Sequence, residues 1–314
     1  MPPAPGPQRI EQVRQGRVQT VGPGGQTVIQ EPGNRTIIKN DNRTFITRNE
    51  TTSIQRFAPG AQTKKRPDGI VETVHVRPGG IRIYSEVDGN GWLLRRYRRD
   101  NSGRDLVFVD NRRFYRNLAI GVGAGLAIGT ALVVLSPPVI SLPREKYIVE
   151  YDRASDDDLY EALTAPPVER LERTYSLEEI RHSESVRARV RRVDLDTITF
   201  EFGSFEVPPD QYPQLERMAR AITRAVEQNP AEVFLIEGHT DAVGSEEDNL
   251  SLSDRRAEAV ASILVEHFKV PMENIMIQGY GEQFLKVSTE AAERGNRRVA
   301  VRRITPLLSQ ENAG

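Results

Sequence analysis

The stretch Val233-Phe234-Leu235-Ile236-Glu237-Gly238-His239-Thr240-Asp241-Ala242-Val243-Gly244 decides how this fold is read. Four consecutive apolar residues, Val233 to Ile236, indicate a central strand buried on both faces. Gly238 and Gly244 allow the chain to turn. Beyond Asn249 and Leu252-Ser253, the residues Ala257, Val260, Ala261, Leu264 and Phe268 form one helical stripe. Asp241 therefore lies just past the C-terminal end of a central strand, where open α/β sheets expose ligand-binding groups.

Ser253 reads as the N-cap of the following helix, which places Arg256 in its first turn. A cation is disfavoured there by the helix dipole and the free amide groups. An anion bound at the same point would remove the conflict by pairing with Arg256 and the amides together. Asp241 would meanwhile accept hydrogen bonds from an ammonium group, so the pair suits the zwitterionic end of an amino acid. The same residues also fit a plain structural role, with Asp241 capping a turn and bonding to Arg256.

Around this stretch the periodicity is that of a compact α+β unit. Thr197-Ile198-Thr199-Phe200-Glu201-Phe202 alternates as a strand, and Leu215, Met218, Ala219, Ile222 and Val226 form an earlier helical stripe. Ile275-Met276-Ile277 and Val299-Ala300-Val301 supply two further strands. The order is β-α-β-α-β followed by a last strand. Right-handed crossovers put both helices on one face of a mixed sheet.

Gly238-His239-Thr240-Asp241 with Gly244, then Asn249, Leu252-Ser253, Arg256-Ala257, Gln278-Gly279-Tyr280-Gly281 and Asn296-Arg297-Arg298-Val299 occur in an order and spacing that is similar to a known pattern. Residues 196–305 resemble the OmpA-like peptidoglycan-binding domain of bacterial envelope proteins. The resemblance implies that Asp241 and Arg256 grip the diaminopimelate of the peptidoglycan stem peptide without a covalent bond. It implies that Asn249 helps, that Thr240 and Gly244 belong to the same ligand-binding loop, and that Arg297 or Arg298 lines the rim. Phe202-Gly203-Ser204-Phe205 departs from the pattern, because many relatives carry an aspartate after the first strand.

Upstream, residues 1–16 are rich in proline, glycine and glutamine and read as disordered. Met1 to Pro7 has neither a basic nor an apolar region, so it does not read as a signal peptide, and export would fall to a later segment. Residues 17–111 are a repetitive β-rich region. Thr27-Val28-Ile29, Thr36-Ile37-Ile38 and Thr44-Phe45-Ile46 recur at short offsets, and Ile70–Val76, Ile81–Val87, Trp92–Tyr97 and Leu106–Val109 follow, separated by glycine-bearing turns. Asn34, Asn42 and Asn49 match the glycosylation pattern but are explained by the repeat. The strands are too short and too charged outside for a transmembrane barrel.

Leu118 to Leu135 carries no charge and would span roughly 27 Å as a helix, enough for a bilayer core. Residues 118–140 are therefore expected to form a single transmembrane helix, stopped by Pro137-Pro138. Gly121, Gly125 and Gly129 fall on one face and would permit self-association. Arginines crowd the segment before the span and carboxylates follow it, so the positive-inside rule puts residues 17–111 in the cytoplasm and everything after 140 outside. Residues 144–193 read as a helical connector, with Asp156-Asp157-Asp158 seeding one helix and Ser176 with Glu179 forming a capping box for another. Residues 194–308 are expected, from the resemblance, to form the OmpA-like domain.

The 314-residue chain has a formal net charge of −1, which gives no basis for a nucleic-acid partner, and it has no cysteine. Its four histidines, His75, His182, His239 and His267, show no metal-ligand spacing, and no nucleophile is paired with a base. The reading is a non-enzymatic envelope protein, without cofactor, holding peptidoglycan from a membrane, whether inner or outer. The alternatives are an envelope scaffold using the same domain for protein contacts, an ion-motor stator subunit, and a metal-dependent hydrolase. The stator reading lacks an ionisable residue in the span.

Overall fold

The computed structural model describes residues 7–309, apart from 23, 41–42, 101, 120–132 and 134. A short helix, α1 (Ile10–Gln15), leads into an antiparallel meander of β1 (Val18–Val21), β2 (Thr27–Glu31), β3 (Arg35–Asn40) and β4 (Arg43–Arg48). Helix α2 (Glu50–Phe57) follows, its N-terminus capped by the Asn49 side chain, which accepts from the Thr52 amide. A second meander contains β5 (Gln62–Lys65), β6 (Val71–Val76), β7 (Arg82–Val87), β8 (Leu93–Arg99) and β9 (Asp105–Asp110), and leads to α3 (Arg112–Ala119). The strands expected from alternation and turn residues are present. The expectation of disorder over residues 1–16 fails for α1, because Ile10 and Val13 are buried.

The third sheet has the order β10-β11-β14-β12-β13, from β10 (Ile148–Glu150), β11 (Arg192–Leu195), β12 (Phe234–Gly238), β13 (Ile275–Gly279) and β14 (Val299–Arg303). It is mixed, as expected: β12 runs parallel to β13 and antiparallel to β14. Residues 144–193 supply β10 and the start of β11 to this sheet as well as α4 (Asp156–Thr164), α5 (Leu177–His182) and α6 (Glu184–Arg187). The Ser155 hydroxyl accepts from the Asp158 amide and the Ser176 hydroxyl from the Glu179 amide, so both helix starts lie where their capping residues put them.

Period-two alternation in β12 divides the core. Phe234 and Ile236 face α4, α7 (Glu216–Gln228) and α8 (Glu246–Ser262), where Leu159, Met218, Ile222 and Val260 are buried. Val233 and Leu235 face the other way, onto Leu177, Ile180 and Val186 of α5 and α6 and onto Ile83, Leu93 and Phe108 of the second meander. The two helices expected on one face are there; α5, α6 and a β-sheet cover the other.

The expected strand over 197–202 is absent. The ladder ends at Leu195, and the backbone beyond it finds other partners. Thr199 N donates to the Gln211 side chain, and the Glu201 carbonyl accepts from Arg256. An alternating sequence is a strand only where a neighbouring strand satisfies its amides.

Residues 120–132 and 134, most of the expected membrane span and all three glycines of the expected self-association face, lie outside the described residues. Among the described residues no helix is long and apolar enough to cross a membrane. The expected placement of residues 17–111 on the opposite side of a membrane from the C-terminal domain is overturned by the packing on either side. Before the span, Tyr115 stacks on Trp92 at 5.8 Å. After it, Leu135 N donates to Ser185 Oγ at 3.1 Å, and Val133 packs against the core shared by β7, β9 and α5. The first meander also lies directly on α8, with Ile29, Ile37 and Ile46 against Leu250. A hydrocarbon layer about 30 Å thick cannot separate parts that share buried contacts.

Residues 9–111 and the C-terminal domain are thus on one side. The chain lacks cysteine, so Gln19→Cys on the exposed β1 edge and Glu227→Cys on α7 are clean reporters. Both should react together with a membrane-impermeant thiol reagent. Labelling of Glu227→Cys with protection of Gln19→Cys would restore the opposite-sides arrangement.

Candidate functional site

Two glycines bring the site together. A Cβ on Gly238, at the end of β12, would lie 1.9 Å from the Ser253 carbonyl oxygen. One on Gly279, at the end of β13, would lie 2.4 Å from Asp254 N. Backbone without side chains lets α8 settle directly on the strand ends. There Ser253 Oγ accepts from Gly281 N at 2.8 Å, and Asp254 Oδ1 accepts from Gly279 N at 3.0 Å.

These contacts correct the expected helix start. Helix α8 begins at Glu246, capped by Ser245, with Glu246, Glu247 and Asp248 complementing the dipole in its first turn. Ser253 is an interior residue, Asn249 lies in the first turn rather than in a loop, and Arg256 is in the third turn. Arg256 is therefore not a cation misplaced at a helix start, and its position there implies no anion site. The apolar stripe misled because the first half of α8 is buried largely by polar residues: Asp248, Asn249, Ser251, Asp254 and Arg255 are all covered.

Asp241 follows β12 and is buried. Its Oδ2 accepts from Arg297 Nη1 at 2.6 Å and from Glu293 N at 3.3 Å. Arg256 is not its hydrogen-bond partner: Arg256 Nε donates to the Ser204 carbonyl at 3.0 Å and Nη2 to the Glu201 carbonyl at 3.3 Å. The Arg256 guanidinium lies over Phe200 at 4.7 Å and is 3% exposed. Burial, then the nearby Arg297, pull it down to about 10, and Asp241 opposes them. Arg256 is a buried cation whose direct acceptors are neutral carbonyls, a setting in which an anion would bind with advantage.

The other expected site residues divide between lining and bracing. Arg297 and Arg298 both line a cleft of about 550 Å³ with Arg256, Arg294 and Lys286. Arg298 is itself buried and donates to the Phe284 carbonyl at 3.1 Å. Asn249 Nδ2 donates to the Asp241 carbonyl at 3.3 Å and to Glu282 at 2.5 Å, so it shapes the loop. Gly244 adopts a φ of 117°, which disfavours any residue with a Cβ. Thr240 N donates to the Gly281 carbonyl, while its buried Oγ1 has no partner among the described residues.

His239 is buried and stacks on Tyr280 at 5.5 Å. Burial and Arg298 push its imidazole down to about 3, leaving it neutral near pH 7. Beside it, Glu237 is held by Arg302 at 3.0 Å and Arg187 at 3.1 Å, a buried cluster beneath the site.

Sequence reasoning missed Lys286, Arg294 and the acidic end of the cleft. Five cationic side chains line the cleft (Arg256, Lys286, Arg294, Arg297 and Arg298) against three carboxylates (Asp152, Asp196 and Glu293), so its balance favours an anionic group. Glu150, Asp152 and Asp196 bring carboxylate oxygens within 4.8 Å of one another, and Lys286 Nζ lies 3.3 Å from Glu150. No sequence spacing links residues 152, 196 and 286; the sheet order β10-β11-β14 brings their neighbourhoods together.

Residues 199–298 match the OmpA family. Outer membrane porin F of Pseudomonas aeruginosa is 36% identical over 115 residues, 36% of this chain and 31% of the relative. This chain therefore spans about a third of that relative's length. Escherichia coli YfiB, named as a lipoprotein, is 30% identical over 113 residues, covering 35% of this chain and 68% of the relative. Among solved structures, the peptidoglycan-associated lipoprotein of Burkholderia pseudomallei is 28% identical, covers 34% of this chain and 87% of that chain, and has a TM-score of 0.29.

Proposed function

The chain belongs to the OmpA family through residues 199–298, and from that premise we propose that its cleft holds the diaminopimelate end of a peptidoglycan stem peptide noncovalently. The protein would then tether a membrane of the bacterial envelope to the cell wall, with the family domain in the periplasm. The observation that carries this reading is Arg256, a buried guanidinium at a cationic cleft whose direct acceptors among the described residues are neutral carbonyls. A ligand carboxylate would supply the missing anion. Asp241, which already orients Arg297, would take the ligand's ammonium group or hold Arg297 for a second carboxylate. The work is binding, and no bond is made or broken.

Co-sedimentation of the full chain with purified sacculi tests the reading. Diaminopimelate-type sacculi should retain the protein and lysine-type sacculi should not. Arg256→Ala and Asp241→Ala should each weaken retention by about thirtyfold, as expected for losing one partner of a charge-assisted pair. Equal retention of both variants would overturn the diaminopimelate reading and favour an envelope scaffold acting through protein contacts.

A further inference from the structure

The loop whose carbonyls occupy Arg256 is held from outside by the N-terminal helix. Ile10 N donates to the Gly203 carbonyl at 2.9 Å, Phe205 N to the Gln8 carbonyl at 3.4 Å, and Arg9 Nη2 to the Phe202 carbonyl at 2.8 Å. Arg9 and Ser204 thus face each other as an isolated antiparallel bridge. Gly203, at a φ of 68°, lets α1 approach so closely that a Cβ there would meet Glu11 Oε1 at 3.0 Å. Helix α1 is anchored in turn. Ile10 and Val13 are buried, and Arg14 and Arg17 pair with Asp248 in the first turn of α8.

We propose that residues 8–17 and the loop 199–205 form a strap that holds Arg256 closed, so that the N-terminal segment sets the affinity of the cleft for a carboxylate ligand. This rests on the cleft being the ligand site. The reason is geometric. A guanidinium grips a carboxylate with two parallel N–H groups. The strap engages Nε and one Nη2 hydrogen with the Ser204 and Glu201 carbonyls, which closes the Nε/Nη2 fork to a ligand. A carboxylate can take the Nε/Nη2 fork in bidentate fashion only when these carbonyls withdraw. Their withdrawal pulls on α1 through the bonds to Gly203 and Phe202. Ligand binding and strap attachment therefore oppose each other, and by linkage each weakens the other by the same factor.

The bridge geometry supplies the test. Residues facing each other with hydrogen bonds to either side are a close, non-hydrogen-bonded pair suited to a disulfide. The chain has no cysteine of its own, so Arg9→Cys with Ser204→Cys can lock or free the strap in the 314-residue chain. The probe is a tripeptide ending in meso-diaminopimelate, with affinity measured by calorimetry in both redox states.

The oxidised form should bind at least tenfold more weakly than the reduced form, within the range of ordinary coupling free energies. The reduced form, lacking the Arg9 contacts, should bind more tightly than the unmodified chain. Equal affinity in the two redox states overturns the strap and leaves the cleft reading standing. Absence of binding by the unmodified chain as well overturns the cleft reading, and the strap with it.

Discussion

Alanine in place of Gly238 is expected to cost about 3 kcal/mol or more of folding stability and to abolish the proposed peptidoglycan retention at the same time. The added Cβ would lie 1.9 Å from the Ser253 carbonyl oxygen and 2.6 Å from its carbon. These are backbone atoms inside a helix, so no rotamer change can move them aside. Either β12 leaves its register between β13 and β14, or α8 lifts off the strand ends. Lifting α8 separates Ser253 from Gly281 and carries Arg256 away from its cleft. Urea denaturation of Gly238→Ala, followed by sacculus co-sedimentation of whatever remains folded, measures both effects. Stability within 1 kcal/mol of the parent would show that the helix does not rest on the strand as described.

The second large effect concerns the contact between the first meander and α8. Arg35 donates to Asp254 at 2.8 Å and to Glu258 at 2.7 Å, Arg48 also pairs with Asp254, and Arg56 with Glu258. Arg35, Arg48 and Asp254 are nearly inaccessible to water. Asp254→Ala leaves the Arg48 guanidinium facing a gap, leaves Arg35 with Glu258 alone, and removes the acceptor of Gly279 N. Breaking a buried pair on one side typically costs about 3–5 kcal/mol, because the remaining charge is uncompensated. The expected result is a lowered urea midpoint and loosening of residues 9–57, read by faster amide exchange there. A loss confined to a few tenths of a kcal/mol would place this interface among ordinary surface ion pairs.

The same aspartate carries a pH dependence. Burial alone would raise its carboxyl, but Arg48 and Arg35 outweigh burial and hold it at about 2, against an ordinary value of 3.8. A depressed folded value means stability that is present above pH ~4 and lost as pH falls towards 2. The parent should therefore lose stability across that window more steeply than Asp254→Ala.

Much of the architecture was legible residue by residue. Alternation marked β2, β3, β4 and β6 to β9, and the continuous run Val233 to Ile236 marked the central strand. The Asp156-Asp157-Asp158 run and Ser176 announced two helix starts, because dipole complementarity and capping are local interactions with the first amides of a helix. Three features were not legible. The start of α8 at Glu246 was hidden because Asp254, Arg255 and Glu258 are buried by ion pairs with the meander, and charge-paired burial leaves no apolar period. Residues 197–202 alternate like a strand yet bond to Gln211 and Arg256. Helix α1 looked too poor in apolar residues to order, but two of them, Ile10 and Val13, sufficed once arginines 14 and 17 could reach Asp248.

By itself the sequence determined the local elements, the glycine-bearing strand end at Gly238, and the family pattern that singles out Asp241 and Arg256. Hydrophobic period, turn chemistry and capping act over a few residues, so they can be read along the chain. Only the tertiary structure decided that Asp241 pairs with Arg297, that Arg256 is turned onto the Ser204 and Glu201 carbonyls, and that the N-terminal meander lies on α8. Each depends on which charged group, distant in sequence, becomes the nearest partner once water is excluded, and no local pattern records that choice.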